Sequence, residues 1–255
     1  MKIGLMNNPR SDLAAEIEFI ASNGFDFVDL TLEYPRAHID ILDRQQALAM
    51  LKDSGLAVVG HTTYYLPFGS PINSIREAAV NDVIRAVEFL REAGAEIVTV
   101  HPDPGVGAVE TKTTISFNAL SFKIISDQAS KHDVTIVVEN VPGVFSSVDA
   151  LGSIFDSVPA LGFHLDVGHA FVRRNRFRHL LSAFKDRLMH VHLSDNRWRE
   201  DDHMPLGAGN IKWDEVVGAI KSTGYDATFT LEVFSDDRRY VLGSKDKLVE
   251  LWQSC

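Results

Sequence analysis

The sequence holds a single cysteine, Cys255, and it is the last residue. No disulfide can form within the chain and no cysteine-rich metal site exists, so a metal would have to be held by nitrogen and oxygen donors. Long apolar runs are missing too. No segment approaches the roughly 20 residues that cross a bilayer, and the opening MKIGLMNNPRSD turns polar too early for a secretory leader. A cytoplasmic location without membrane contact is the expectation. Positive charge is in deficit: 25 Lys and Arg stand against 35 Asp and Glu, a formal charge of −10, which opposes general attraction to a phosphate backbone. No linker, low-complexity tract or composition shift breaks the chain, so residues 1–255 are expected to form one domain. A glycine-rich phosphate loop is also absent, because GLMNNPRSD after the first apolar run is neither a dinucleotide fingerprint nor a P-loop.

What is present is a regular alternation. KIGLM, FDFVDLTL, LAVVGH, EIVTVH, VTIVVEN, LGFHLD, LMHVHLS and ATFTLEVF each read as a short buried strand. Between them lie stretches with apolar residues three and four apart, such as DLAAEIEFIASNG, SIREAAVNDVIRAVEFLREAG and TISFNALSFKIISDQASKH, which read as helices. Gly24, Gly55, Gly94 and Gly224 sit where helix C-caps are expected. Eight strands alternating with helices in this length predict a (β/α)8 barrel, an α/β fold whose chemistry belongs at the C-terminal ends of the strands.

Six consecutive predicted strands finish with a side chain able to bind metal or move a proton: His61, His101, Glu139, Asp166, His192 and Glu232. Strand alternation puts their neighbours Val100, Val138, Val191 and Leu231 on the opposite face, beneath the helices, so the polar set points inward at one rim. Imidazole and carboxylate together suit Zn²⁺, Mn²⁺ or a related divalent ion. A cation would also relieve repulsion among Glu139, Asp166 and Glu232. The competing structural reading has these groups salt-bridged to an arginine such as Arg197. His164 and His190 share the inward parity one layer deeper and read as hydrogen-bonded interior residues. His38, His132 and His179 read as surface or helix residues, and RRNRFRH, residues 173–179, as a solvated helix start. PLGAGNIKW reads as a tight turn whose glycines allow close backbone approach, followed by a helix near Trp213.

VEN at Glu139, LDVGHA at Asp166 and His169, HVHLSDN at His192, DDHMPLGAGNIKW and LEVF at Glu232 together resemble the xylose-isomerase-like barrel superfamily. Its members include sugar and sugar-phosphate isomerases and epimerases, inosose dehydratases and the endonuclease IV family of apurinic-site nucleases. In the isomerase branch, the resemblance implies one divalent metal (Mn²⁺, Mg²⁺, Co²⁺ or Zn²⁺) on Glu139, Asp166, His192 and Glu232. It further implies Glu139 and Glu232 as the proton-moving pair and His169 as a substrate contact. In the nuclease branch, these positions join His61, His101, Asp201 and His203 around three Zn²⁺. Asp201 is preferred to Asp202 because it lies two residues before His203.

Both chemistries fit the donors. A nuclease must also hold and bend a duplex with basic and wedge-like side chains, for which Tyr64, Tyr65, Leu66, the 173–179 segment and NRWRE are sparse provision. Tyr64 and Trp198 can equally cover the apolar face of a sugar, and Arg197 can bind a phosphate or hydroxyls. The acidity favours a small sugar or sugar phosphate and an isomerase or epimerase of carbohydrate metabolism. An abasic-site endonuclease acting on nucleic acid is the alternative, a non-catalytic metal-binding barrel a third reading, and homo-oligomerisation is compatible with any of them.

Overall fold

β-branched and aromatic runs form the strands, and amphipathic stretches form the helices that cover them. The computed structural model describes residues 1–255. The order is β1 (Lys2–Met6), α1 (Leu13–Ser22), β2 (Phe27–Thr31), α2 (Arg44–Ser54), β3 (Ala57–His61), α3 (Asn73–Glu92), β4 (Ile97–Val100), α4 (Thr111–Ala129), β5 (Thr135–Glu139), α5 (Val148–Ser157), β6 (Gly162–Asp166), α6 (Val167–Phe171), α7 (Phe177–Phe184), β7 (Leu188–Leu193), α8 (Trp213–Ser222), β8 (Thr228–Leu231) and α9 (Arg239–Ser254). Each strand pairs in parallel with the next, and β8 returns to β1, closing an eight-stranded barrel. This is the expected (β/α)8 fold. No helix is long and apolar enough to cross a membrane.

Alternation along the strands separates two environments. Val98 and Val100 of β4, Ile136 and Val138 of β5, Phe163 and Leu165 of β6, and Val191 and Leu193 of β7 join one apolar cluster with Val83, Val87, Phe122, Ile125, Leu151 and Leu180 of the helices. The opposite parity points into the barrel. At its lower end Phe27 packs where a β-carbon on Gly4 would collide with the ring, so glycine at that position is a packing requirement. Above it, His190 meets the Phe27 ring edge-on at 6.1 Å.

Local signals set the boundaries. Asp12 accepts from Ala15 N–H and Asp43 from Gln46 N–H, capping α1 and α2. Gly24, Gly55, Gly94 and Gly224 all have positive φ, as their placement after helices predicts. His38 corrects the sequence expectation: it is buried, with its ring stacked on Tyr34 at 4.4 Å and its Nδ1 accepting from Asp40 N–H. His132 and His179 are exposed.

Candidate functional site

Glu139 ends β5, Asp166 ends β6, His192 lies near the end of β7, and Glu232 follows β8. Barrel closure brings the four to one floor. Asp166 also caps α6: its Oδ1 accepts from His169 N–H at 2.5 Å, while its buried Oδ2 has no hydrogen-bond partner. That cap swings His169 over the floor, where Nδ1 lies 2.9 Å from the Asn140 carbonyl and 3.1 Å from Glu139 Oε1.

The remaining donors predicted from sequence attach to the same floor. His101 Nε2 lies 2.5 Å and His61 Nε2 3.3 Å from Glu139 Oε2. Asp201 Oδ2 sits between His169 Nε2 at 2.9 Å and His203 Nε2 at 3.0 Å, and His203 Nδ1 approaches Glu232 Oε1 at 3.5 Å. Asp202 faces away and accepts from Arg197 N–H. Asp201, not Asp202, therefore belongs to the constellation. His203 is held there by loop geometry, since the buried Asp195 accepts from Gly207 N–H, Ile211 N–H and Trp213 Nε1–H. A β-carbon on Gly209 would run into the Asn196 carbonyl, so this close approach does require glycine.

Beneath the floor lies a residue the strand-end pattern did not single out. Asp29, fully buried in the middle of β2, accepts at Oδ2 from His192 Nε2 (2.7 Å), His190 Nε2 (2.9 Å) and Thr230 Oγ1 (2.8 Å). Donation from Nε2 leaves His192 Nδ1 facing Glu232 Oε2 at 3.2 Å and Asp166 Oδ2 at 3.9 Å. A buried carboxylate thereby fixes the tautomer and aim of a ring at the site. Its signal in the sequence is the lone Asp in FVDLT, with the inward parity of Phe27. His164, in the layer of Asp29, meets Thr99 Oγ1 at 3.1 Å through Nδ1, whereas its Nε2 has no partner.

The electrostatics are unusual for a protein interior. Every ion-pair partner of Glu139, Asp166, Asp201 and Glu232 is a histidine. No arginine or lysine neutralises the carboxylates, and the salt bridge to Arg197 considered from sequence does not form. Burial pushes Asp166 well above the usual carboxylate range, with Glu139, Glu232 and Asp201 adding to the rise against the pull of His169. Burial also opposes charge on Glu139, yet His101 and His164 hold it well below that range. His203 is pushed up to about 9: burial works against its charge, and Glu232 and Asp201 overcome it.

These residues fit a divalent cation. Glu139, Asp166 and His192 offer ligand atoms within 4.8 Å of one another, as do His61, His101 and Glu139. The partnerless Asp166 Oδ2, Asp201 Oδ1 and His203 Nδ1 are buried donor atoms, a condition that is costly without a ligand. The mixed imidazole and carboxylate set suits Zn²⁺ or Mn²⁺ better than Ca²⁺.

Above the floor opens a cavity of about 650 Å³ lined by Glu232, His61, His101, His169, Asp201 and His203, with Tyr34, Tyr64, Tyr65 and Phe234 among its walls. Arg197 and Trp198 do not line this cavity. Trp198 stacks on Phe171 with centroids 6.4 Å apart, and Arg197 lines a recess with Arg199, Glu200 and Asp202. Glu33 and Arg10, which line the cavity, escaped the strand-end reading because they belong to the first two strand-to-helix connections.

Residues 17–251 match the model of the family described as xylose isomerase-like TIM barrel. An uncharacterized protein of Methanocaldococcus jannaschii is 28% identical over 250 residues, covering 93% of this chain and 84% of that protein. The L-ribulose-5-phosphate 3-epimerase UlaE of Salmonella paratyphi A is 24% identical over 227 residues, covering 84% of this chain and 79% of that enzyme. The crystal structure of a D-tagatose 3-epimerase-like protein superposes with a TM-score of 0.89 at 23% identity, over 99% of this chain and 97% of the other. A structurally similar protein of Thermus thermophilus, whose crystals were soaked with zinc chloride, gives a TM-score of 0.81 at 20% identity, covering 100% of this chain and 99% of the other.

Proposed function

Because the chain belongs to the xylose isomerase-like TIM barrel family, we propose that it is a divalent-metal-dependent isomerase or epimerase acting on a sugar or sugar phosphate, built as one domain over residues 1–255. One observation carries the reading: Glu139, Asp166, His192 and Glu232 share a floor without arginine or lysine, beneath a cavity of about 650 Å³ sized for a small molecule. The relative named as a sugar-phosphate epimerase supports it.

A divalent ion on the four residues would polarise the carbonyl and neighbouring hydroxyl of a sugar and acidify the C–H between them. The protein moves the proton. Glu232, on the cavity wall, faces one side of the substrate, and Glu139, lower and beneath His101, faces the other. One carboxylate removes the proton, and the second returns it to the opposite face or the next carbon. His169, pinned between the Asn140 carbonyl and Asp201, orients a hydroxyl. Tyr34, Tyr64, Tyr65 and Phe234 cover the apolar face of the sugar and limit water.

The test is solvent exchange. Protein loaded with Mn²⁺ or Zn²⁺ is incubated in D₂O with ketopentoses, ketohexoses and their phosphates, and deuterium at carbons adjoining the carbonyl is read by NMR. Metal-dependent uptake supports the proposal; no uptake from any sugar, with cleavage of an abasic duplex, overturns it. The nuclease is the second reading, favoured by one feature: His61, His101, His169, Asp201 and His203 extend the donor set far enough for up to three Zn²⁺. Metal analysis separates the two, at about one ion per chain or three.

A further inference from the structure

Eight of the fifteen arginines have a side-chain hydrogen bond or ion pair: Arg44, Arg76, Arg85, Arg91, Arg178, Arg187, Arg238 and Arg239. The other seven are not scattered. Arg173, Arg174, Arg176 and Arg199 line one recess of about 730 Å³, Arg197 lies beside Arg199 in the adjoining one, and Arg10 lines the main cavity; only Arg36 lines none of the three. In a chain of net charge −10, guanidinium groups that form no ion pair are concentrated at the mouth of the candidate site, although Glu200 and Asp201 share the larger recess with four of them.

The recess is continuous with that site. Asp201 and Pro142 line both it and the main cavity, and Asp201 is the residue that holds His169 and His203. The two arginine-bearing segments are also locked together. Arg173 N–H donates to the Trp198 carbonyl at 2.6 Å, and Phe171 stacks on Trp198. Arg173 and Trp198 have φ of 60° and 69°, a left-handed conformation that crowds the β-carbon of any residue bearing a side chain. A charged surface that only solubilises the protein needs neither the strain nor the tie between loops.

We propose that Arg173, Arg174, Arg176 and Arg199 form a phosphate subsite, and that the substrate is a sugar carrying a phosphomonoester at the end remote from the reacting carbons. This rests on the isomerase reading of the site and selects the phosphorylated class within it. Guanidinium forks match phosphate oxygens in pairs, and a recess offering several free forks suits one doubly charged group. A polynucleotide would need cationic contacts along a path across the mouth. The wall on the β2 and β3 side, diametrically across the barrel, instead carries Glu33, Tyr64 and Tyr65.

Calorimetry with inorganic phosphate, D-ribulose and D-ribulose 5-phosphate tests the subsite on the full-length protein, both metal-loaded and chelator-treated. Arg174→Gln/Arg199→Gln is expected to weaken phosphate binding by about tenfold or more in both forms. Arg174→Lys/Arg199→Lys should retain part of it, and Arg85→Gln should leave it unchanged. Ribulose 5-phosphate should bind more tightly than ribulose, with the advantage lost in the Gln variant. Equal binding of the two sugars, or phosphate binding indifferent to the arginines, overturns the subsite even if free ketoses exchange deuterium. Arginine-dependent phosphate binding without exchange from any sugar keeps the subsite and removes the isomerase reading. Arginine-dependent binding of a short abasic duplex, tighter than that of ribulose 5-phosphate, overturns the assignment in favour of a polynucleotide.

Discussion

On the side of the strands that faces the helices, Val98, Val100, Ile136, Val138, Phe163, Leu165, Val191 and Leu193 are buried among aliphatic and aromatic neighbours. One residue along, the same strands turn Thr99, Glu139, His164, Asp166, His190 and His192 into the barrel, equally buried and almost all ionisable. Each fully buried large apolar side chain on the outer face contributes about 1.5–3 kcal/mol. Each orphaned polar atom on the inner face, such as Asp29 Oδ1 or Asp166 Oδ2, costs about 1–3 kcal/mol. The outer shell of 60 residues outnumbers the orphans many times over. Alternation thus lets one strand hold the fold with one face while the other keeps an arrangement that is unfavourable until something binds it.

If the two faces divide the work in this way, their substitutions separate. The largest effect is expected for Glu139→Gln and Glu232→Gln, which should each lower turnover of the exchanging sugar by about 10²–10⁴-fold. Melting temperature of the chelator-treated protein should fall, because despite their burial the surrounding histidines hold both carboxylates below their usual range and that charge stabilises the fold, yet turnover should suffer far more than folding. Turnover within a factor of about two of the parent would remove that residue from the chemistry. Next comes Phe163→Ala on the outer face, where a 0% exposed ring packs against Phe184 at 5.2 Å. Unfolding in urea should show a loss of about 3–5 kcal/mol, with metal affinity of the folded protein unchanged. A loss of metal affinity at constant stability would contradict the division.

That division explains what could be read from the sequence. All eight strands were legible because β-branched runs of strand length recur between amphipathic stretches, and the strand-end parity of Glu139, Asp166, His192 and Glu232 follows from the period of two. Asp29 was hidden because attention to strand ends passes over a polar residue in mid-strand. What it does becomes visible only when β8 closes on β1 and the barrel interior brings His190, His192 and Thr230 to it. Arg197 and Trp198 follow β7 closely, yet lie outside the main cavity because Trp198 N–H donates to Asn196 Oδ1 and the backbone turns there with positive φ. Loop direction of that kind is set by a few hydrogen bonds that spacing does not reveal. The basic run 173–179 does contain a solvated helix start, with α7 beginning at Phe177 and Arg173, Arg174 and Arg178 exposed; what spacing does not reveal is that Arg173, Arg174 and Arg176, ahead of the helix, line one recess with Arg199.

A smaller effect is expected one layer below the floor. Asp29→Asn keeps the shape but replaces a charge-assisted acceptor with a neutral one at His192 Nε2, and metal affinity should fall by about 10–100-fold. Competition with a chromogenic chelator measures this without a substrate. Unchanged affinity would show that His192 is aimed by packing alone.

The smallest effect is the pH dependence of the metal-free protein, and it too sets one face against the other, because the outer shell contains nothing that titrates. His203 in the folded state is raised to about 9, and Asp201 is depressed below the usual carboxylate range. A raised histidine stabilises fully below its unfolded value of about 6.5, and this contribution is lost as pH climbs through the folded value. The depressed aspartate stabilises above its unfolded value of about 3.9 and loses that contribution as pH falls further. Chelator-treated protein should therefore melt at its highest temperature between about pH 4 and about pH 6.5 as far as this pair is concerned, and lose stability toward about pH 9. His203→Gln should flatten the alkaline limb. A parent that melts at one temperature from about pH 6.5 to about pH 9 would show that His203 is not held protonated between Asp201 and Glu232.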